Sequence, residues 1–277
     1  MNNRKQKQKK TNTSHFNDNR RHPHGLEYEC TDTGNMHRFI DRNHEKARST
    51  GSPKEWLTWD GRRWSNTQYK SVFELALETV ESIKSEHKRC KNLEGKKRLL
   101  SWKERSEAEA KLNAMVNMAS KHPSMVTQLS DYDRQIYHIN SKNGLVDLRT
   151  GELIDHNPEH NITKLANVSY HPKAECPTFD KFIQEVFNYD PALIRWMQRA
   201  IGYSLTGSVD EQCLFIAYGT GANGKSTLFE VISQILGDYS KTADFETFLN
   251  NQMSDVRSLE AVGELKGIRY ALASEVD

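Results

Sequence analysis

Within residues 1–205, apolar residues recur at helical spacing in three stretches. The first predicts an amphipathic helix that begins near Gln68. Its apolar face consists of Val72, Leu75, Ala76, Val80 and Ile83. The second stretch predicts a helix over 108–120, which is broken at Pro123, and the third predicts one helix over 179–205.

Two other stretches have the composition of β-hairpins. Residues 56–64 alternate in character around Asp60-Gly61, a dipeptide that favours a tight turn between two strands. Residues 136–154 hold short apolar runs separated by a turn that contains Gly144, and they predict a second hairpin. Pro172 and Pro177 then make 170–177 typical of a linker, which predicts a domain boundary near Pro177.

A different pattern begins at residue 213. The continuous apolar run 213–218 is of buried-strand type. It is followed by Gly219-Thr-Gly-Ala-Asn-Gly-Lys-Ser226, which matches the phosphate-binding loop Gly-x-x-x-x-Gly-Lys-[Ser/Thr]. Apolar residues at helical spacing then predict a helix that stops at Gly237. Strand, loop and helix follow in the order that the motif requires, which favours a nucleotide site over a glycine-rich surface turn.

The chemistry of such a loop assigns roles to its last residues. Its backbone N–H groups surround the phosphates, Lys225 reaches the terminal phosphates, and the Ser226 hydroxyl ligates Mg²⁺. Hydrolysis also needs a carboxylate, which usually ends a neighbouring buried strand. The apolar run 265–275 ends in Glu275, and Asp277 lies two residues later. Either of these two could be the catalytic carboxylate.

Composition limits the classes of protein to which the chain can belong. The 277 residues suffice for one large or two ordinary domains, and the net charge of +2 argues against an indiscriminate polycation. No run of 18 apolar residues occurs, so we expect a soluble, intracellular protein. The four cysteines form no Cys-x-x-Cys pair, and we interpret them as reduced thiols rather than zinc ligands.

Two features leave structural and functional interpretations open. Trp56, Trp59 and Trp64 are typical of a small core, but they could also stack on bases beside Arg62 and Arg63. The charged stretch 84–105 is consistent with a solvated helical arm or with a groove for a nucleic-acid backbone.

Five stretches together resemble superfamily 3 helicases of the phage and plasmid primase–helicase type, whose relatives include poxvirus-type proteins. They are Asn143-Gly-Leu-Val-Asp-Leu-Arg-Thr-Gly-Glu-Leu153, Tyr170-His-Pro-Lys-Ala-Glu-Cys-Pro177, Ile201-Gly-Tyr-Ser-Leu-Thr-Gly207, Gly219-Thr-Gly-Ala-Asn-Gly-Lys-Ser-Thr227 and Leu265-Lys-Gly-Ile-Arg-Tyr-Ala-Leu-Ala-Ser-Glu275. The resemblance implies an α/β P-loop NTPase with a partial AAA+-type parallel sheet. It places an α+β accessory domain at 25–177 and the first part of the ATPase domain at 178–277. The residues before them, 1–24, are basic and almost without apolar side chains, which predicts a disordered tail.

The resemblance also implies a site and its ligands. Lys225 and Glu275 would be catalytic, and Ser226 and Glu275 would hold Mg²⁺. The residues that would bind ATP are Gly219, Thr220, Gly221, Ala222, Asn223, Gly224, Lys225, Ser226 and Thr227. The implied partners are single-stranded or forked DNA, further copies in a homo-hexameric ring and a possible separate primase, with no membrane.

The implied activity is that of an ATP-dependent DNA helicase in phage or plasmid replication, in the cytoplasm of a bacterial host. The chain ends two residues after Glu275. The family's DNA-contacting hairpin, sensor residue and arginine finger would follow that point, so we expect weak nucleotide binding and no unwinding from this chain alone. A P-loop NTPase of another class and a non-catalytic replication adaptor are the alternatives.

The tail permits a quantitative prediction. Residues 1–21 hold seven Lys or Arg and one acid, Asp18. If all seven cations contact phosphates of single-stranded DNA, deleting them reduces the slope of log K against log salt by about 5. An unchanged slope in a salt titration of the tail-deleted protein contradicts a DNA role and favours a tail that only aids solubility.

Overall fold

The structure is a computed structural model that describes residues 23–67, 69–219, 221, 223–243 and 263–273. Residues 1–22 of the predicted basic tail lie outside the described residues. Glu275 and Asp277 lie outside them as well. None of the helices in the described ranges is long and apolar enough to cross a membrane.

The described α-helices and β-strands are interspersed along the chain. The α-helices are α1 (Asp32–Asn43), α2 (Tyr69–Arg89), α3 (Leu93–Ser106), α4 (Glu109–Ser120), α5 (Pro177–Val186), α6 (Pro191–Leu205) and α7 (Lys225–Leu236). The strands are β1 (Ala47–Ser49), β2 (Trp56–Trp59), β3 (Trp64–Thr67), β4 (His138–Ser141), β5 (Gly144–Asp147), β6 (Leu153–Ile154), β7 (Ser240–Thr242) and β8 (Tyr270–Leu272). Short 3₁₀ turns lie at Pro23–Gly25, Leu129–Asp131, Pro158–His160 and Gly237–Tyr239.

These elements pack as two compact units. The first contains the described residues up to 58 together with 65–129, and the second contains 59–64 together with the described residues from 130 onward. The domain boundaries at 24/25 and 177/178 stay predictions.

The first unit is built from helices α1 to α4 and strands β1 and β2. Helix α1 packs against α4, and α2 packs against α3. Strand β1 pairs antiparallel with β2, in the sheet order β1-β2-β3. The fully buried side chains include Phe39, Val72, Ala76, Met115 and Val116. The helices predicted from Gln68 and over 108–120 are thus confirmed as α2 and α4.

A buried ion pair joins α1 to α2 inside this core. Arg38 and Glu86 are only 1% and 4% exposed. The guanidinium donates from Nε to Oε1 of Glu86 at 2.7 Å and from Nη2 to Oε2 at 2.9 Å. Its remaining N–H groups reach the backbone carbonyls of Glu29 and Tyr28. Because both charges are removed from water, each depends on the other and on these hydrogen bonds.

Trp56 and Trp64 have the core role that was one of the two interpretations of the tryptophan cluster, whereas Trp59 is only partly buried. Trp56 and Trp64 are each 1% exposed. The Trp64 indole donates to the Pro158 carbonyl at 2.8 Å, and the Trp59 ring packs on Trp64 at 5.8 Å. The Trp56 indole likewise donates to the Pro53 carbonyl, so these two buried rings are hydrophobic anchors and not stacking platforms for bases.

The second unit begins with the sheet β4-β5-β6, in which both pairings are antiparallel. This confirms the predicted second hairpin. The single helix predicted over 179–205 is wrong, because the chain forms α5 and α6 instead. Pro191 has no N–H to continue α5, and the Asp190 side chain caps the new helix by accepting from the Ala192 and Leu193 amides.

The buried strand predicted over 213–218 is also wrong. This run is irregular, and Leu214, Ile216 and Tyr218 are 76%, 78% and 91% exposed. An all-apolar strand needs neighbours on both edges and cover on both faces, and no described strand pairs with it. The parallel pair of the second unit is formed by β7 and β8, with Lys241 opposite Ala271.

The buried ion pair generates a stability prediction. Glu86→Ala leaves the Arg38 guanidinium buried without its counter-ion, so the free energy of unfolding should fall by about 3–5 kcal/mol. The matched control is Glu78→Ala, an exposed acid on the same helix, with an expected loss below about 0.5 kcal/mol. Urea unfolding followed by tryptophan fluorescence measures both. Equal losses for the two variants would show that the ion pair does not hold α1 on α2.

Candidate nucleotide-binding site

The start of α7 is set by one glycine. Gly224 is the residue that caps the helix, and its backbone is left-handed, with φ 78° and ψ 0°. A Cβ atom there would lie 2.6 Å from Cγ2 of Val186 and 3.2 Å from the Phe182 ring, both on α5. Glycine is therefore required by backbone conformation and by space. The helix begins where the Gly-Lys of the motif predicts it.

Lys225 closes the loop on itself. Its Nζ donates to the Gly219 carbonyl at 2.8 Å, across six residues of sequence. Asn223 lies inside the same curve, because a Cβ on Gly219 would be 2.5 Å from Asn223 Nδ2. The described loop residues thus place an ammonium group at the mouth of the turn. Their arrangement is a curl and not an extended crossing.

The first turn of α7 is open to an anion. The N-terminal amides of a helix have no partner within the helix, and Gly224 offers no side-chain cap. The Lys225 amide makes only a long contact of 3.5 Å with Oδ1 of Asn223. The helix dipole adds a partial positive charge at this end. Ser226 and Thr227 are exposed on the same turn, so their hydroxyl groups are accessible. Backbone donors, the dipole and the Lys225 ammonium together form a site that suits a phosphate group.

The rest of α7 is anchored by apolar packing. Leu228, Ile232 and Leu236 are buried at four-residue spacing. They pack with Ala166 and Tyr239, against partly buried side chains of α5 and α6. The C-terminal end is held by main-chain hydrogen bonds, since the Asn167 amide donates to the Ile235 carbonyl and the Asp238 amide donates to the Leu165 carbonyl. The helix that begins at the loop is therefore fixed at both ends.

Arg269 fixes the start of β8, the strand that precedes Glu275. Its guanidinium donates to the Leu205 carbonyl at 2.7 Å and to the Gln135 carbonyl at 3.0 Å. It also lies 4.8 Å from the centre of the Tyr239 ring. Burial lowers the pKa of Arg269, and burial raises the pKa of Tyr239 to about 12. These contacts position β8 beside β7, which follows the end of α7.

The predicted site residues fall into two groups. The structure brings Lys225 together with Gly219 and Asn223, and it describes Gly221, Gly224, Ser226 and Thr227. It does not bring Glu275 to them, because Glu275 and the alternative Asp277 lie outside the described residues. Thr220 and Ala222 also lie outside the described residues.

Sequence reasoning missed two supports of the site. Phe182 and Val186 pack on Gly224, yet their spacing indicated only the apolar face of a helix. Arg269 was treated as one residue of an apolar run. A single arginine inside such a run is itself a signal, because a buried guanidinium needs several acceptors.

Comparison with known proteins places the chain in a family. Residues 36–188 match the family described as "D5 N terminal like". The match covers more than half of the chain, and the protein belongs to that family. Its matched segment runs from α1 to just beyond α5 and ends before the loop.

A search of curated proteins finds a relative in Acanthamoeba polyphaga mimivirus, named "Putative helicase". The two are 26% identical over 147 residues, which is 51% of this chain and 15% of the relative. The matched region therefore spans a small part of the viral protein.

The loop geometry predicts a contrast between two glycines. Gly224→Ala should lower the free energy of unfolding by about 2 kcal/mol or more, because alanine resists a left-handed backbone and its methyl group meets Val186. Gly221→Ala is the matched control, since nothing lies within 4 Å of a Cβ built there. Its expected change is below about 0.5 kcal/mol. Thermal unfolding followed by circular dichroism measures both; a tolerated Gly224→Ala would contradict the described turn.

Proposed function

We propose that this chain is part of an ATP-driven DNA helicase of the primase–helicase type that acts in replication. The observation that carries the proposal is the curl between Gly219 and Lys225, with its open helix start and its ammonium group. Membership in the D5 N terminal like family and the similarity to the viral relative support a replication role.

The residues around the curl fit the phosphates of ATP. The amides that begin α7 would donate to phosphate oxygens, and Lys225 would exchange its contact with the Gly219 carbonyl for the terminal phosphates. Asn223 would keep the loop in its curved form. A bound nucleotide supplies the phosphoryl group whose hydrolysis drives movement. The hydrogen bond from Lys225 to a carbonyl is easily exchanged because Lys225 is only partly buried.

Of the two residues proposed to ligate Mg²⁺, Ser226 lies among the described residues and Glu275 does not. Ser226 is exposed on the first turn of α7 and offers a hydroxyl oxygen, which Mg²⁺ accepts as a ligand. Glu275 would supply the second protein ligand and orient the attacking water. Its supporting strand β8 is held by Arg269 and pairs in parallel with β7.

The proposed architecture extends these roles to the whole chain. Residues 25–177 would form the accessory domain, and 178–277 would begin a superfamily 3 ATPase domain of the AAA+ type. Copies of the complete protein would assemble as a ring around DNA.

A non-catalytic replication adaptor is a second candidate. The family match ends at residue 188, before the loop, so the matched segment could serve replication without a working ATPase site. The effect on replication of a variant that has lost nucleotide binding separates the two candidates.

Lys225→Ala should weaken binding of a fluorescent ATP analogue about 10- to 100-fold in the presence of Mg²⁺, because a charge-assisted hydrogen bond to phosphate is lost. Lys181→Ala is the matched control, since Lys181 is an exposed lysine on α5 of the same unit. It should bind as the parent protein does.

Two results would contradict the proposal. If the parent chain does not bind the analogue at millimolar concentration, the loop is not a nucleotide site. If Lys225→Ala loses ATP binding but the intact replication system works unchanged, the adaptor function is favoured over the motor.

A further inference from the structure

The turn between α2 and α3 carries a cluster of cations, which we name the basic tip. Between residues 88 and 98 the sequence holds six Lys or Arg and one acid, Glu94. The basic tip consists of Lys88, Lys91, Lys96, Lys97 and Arg98. Of these, only Lys96 is partly buried, and the others are exposed. The sixth cation, Arg89, forms a bidentate ion pair with Glu27 and is not included.

Two other lysines on the same helices are neutralised by acidic side chains. Lys103 forms ion pairs with Glu81 and Glu107, and Lys84 pairs with Glu81. The basic tip differs, because none of its members forms an ion pair within the described ranges of the chain. Five like charges on adjoining turns repel one another. This concentration of charge favours a binding role over a merely solvated surface.

Helix electrostatics explains only part of the cluster. Cations in the last turn of a helix stabilise it, which accounts for Lys88 at the end of α2. Lys96, Lys97 and Arg98 are the fourth to sixth residues of α3, far from its C-terminal end, so no favourable interaction with the helix dipole accounts for them. The repulsion between these neighbouring charges works against the helix that carries them. A partner with negative charge would offset that cost.

The basic tip is mounted on a rigid support. Asn92 caps α3 by accepting from the Gly95 amide at 3.0 Å. A Cβ on Gly95 would lie 2.5 Å from the His24 carbonyl oxygen, so the backbone there is in close contact with the preceding turn. Cys90 is buried between the two helices, and Leu99 and Trp102 fix α3 in the core. Little ordering of the backbone would accompany binding.

We propose that the basic tip binds the phosphate backbone of nucleic acid, as a contact separate from the nucleotide site. A polyanion with closely spaced phosphates matches cations that come from two neighbouring helices. Lysine ammonium groups suit phosphates as point charges, and contacts with the phosphate backbone carry no base readout. The contact is therefore independent of sequence, and it rests on the proposed replication role for the choice of nucleic acid over an acidic protein.

The test compares two variants of equal net charge. The first replaces Lys88, Lys91 and Lys97 by Gln. The second replaces Lys46, Lys54 and Lys121, which are exposed lysines elsewhere on the first unit. Both variants are made in the full chain, so the basic tail contributes equally to the oligonucleotide affinity of each. Affinity for a labelled single-stranded oligonucleotide and for its duplex is measured against salt, without nucleotide.

The tip variant should lower the slope of log K against log salt by about 2 on the single strand or by about 3 on the duplex. The preferred substrate shows which form the tip contacts. The control variant should keep the slope of the parent protein. Both variants should unfold at the parent temperature and bind the ATP analogue normally, so a failure here is distinct from a failure at Lys225.

Three outcomes overturn the proposal. The parent chain shows no salt-dependent binding; the two variants lose slope equally, which indicates a bulk charge effect; or the tip variant keeps the parent slope. In the last case, binding of an acidic peptide that the tip variant alone loses would assign the surface to a protein partner instead.

Discussion

The left-handed turn at Gly224 is the constraint on which the candidate site depends. It lets the chain leave the loop and enter α7 without a side-chain cap on Gly224. Apart from the long contact between the Lys225 amide and Asn223, the first amides of the helix therefore remain available. It also lets α5 approach the loop to the distance that Val186 and Phe182 define. A larger residue would push α5 away and turn the helix start out of line. The fold and the proposed chemistry therefore rely on the same missing side chain.

This turn is connected to the family-defining part of the chain through the second unit. Residues 165–167, inside the matched segment, hydrogen-bond to the C-terminal end of α7. Arg269 links the start of β8 to carbonyls at the end of α6 and at Gln135. The part of the matched segment from residue 130 onward and the loop thus lie in the same packed unit. This arrangement gives a physical route by which nucleotide at the loop could act on the rest of that unit.

Local patterns predicted the local elements of the fold well. Helices α2, α4 and α7 and both hairpins follow from apolar spacing and turn residues, because those elements are decided by short-range rules. The single helix over 179–205 failed where Pro191 and the Asp190 cap outweigh apolar periodicity. The strand over 213–218 failed because pairing partners, not composition, decide whether an apolar run becomes a strand. For the site, the motif identified Lys225 and Gly224, whereas Arg269 acts through contacts far away in sequence.

Hydrogen–deuterium exchange at the start of α7 tests the central claim most directly. Amides of residues 225–227 should exchange several-fold more slowly when a slowly hydrolysed ATP analogue and Mg²⁺ are added, because phosphate oxygens then accept from them. The interior of α2 should not change. Unchanged exchange at 225–227 under saturating nucleotide, or protection confined to another part of the chain, would contradict the claim that this curl binds phosphate.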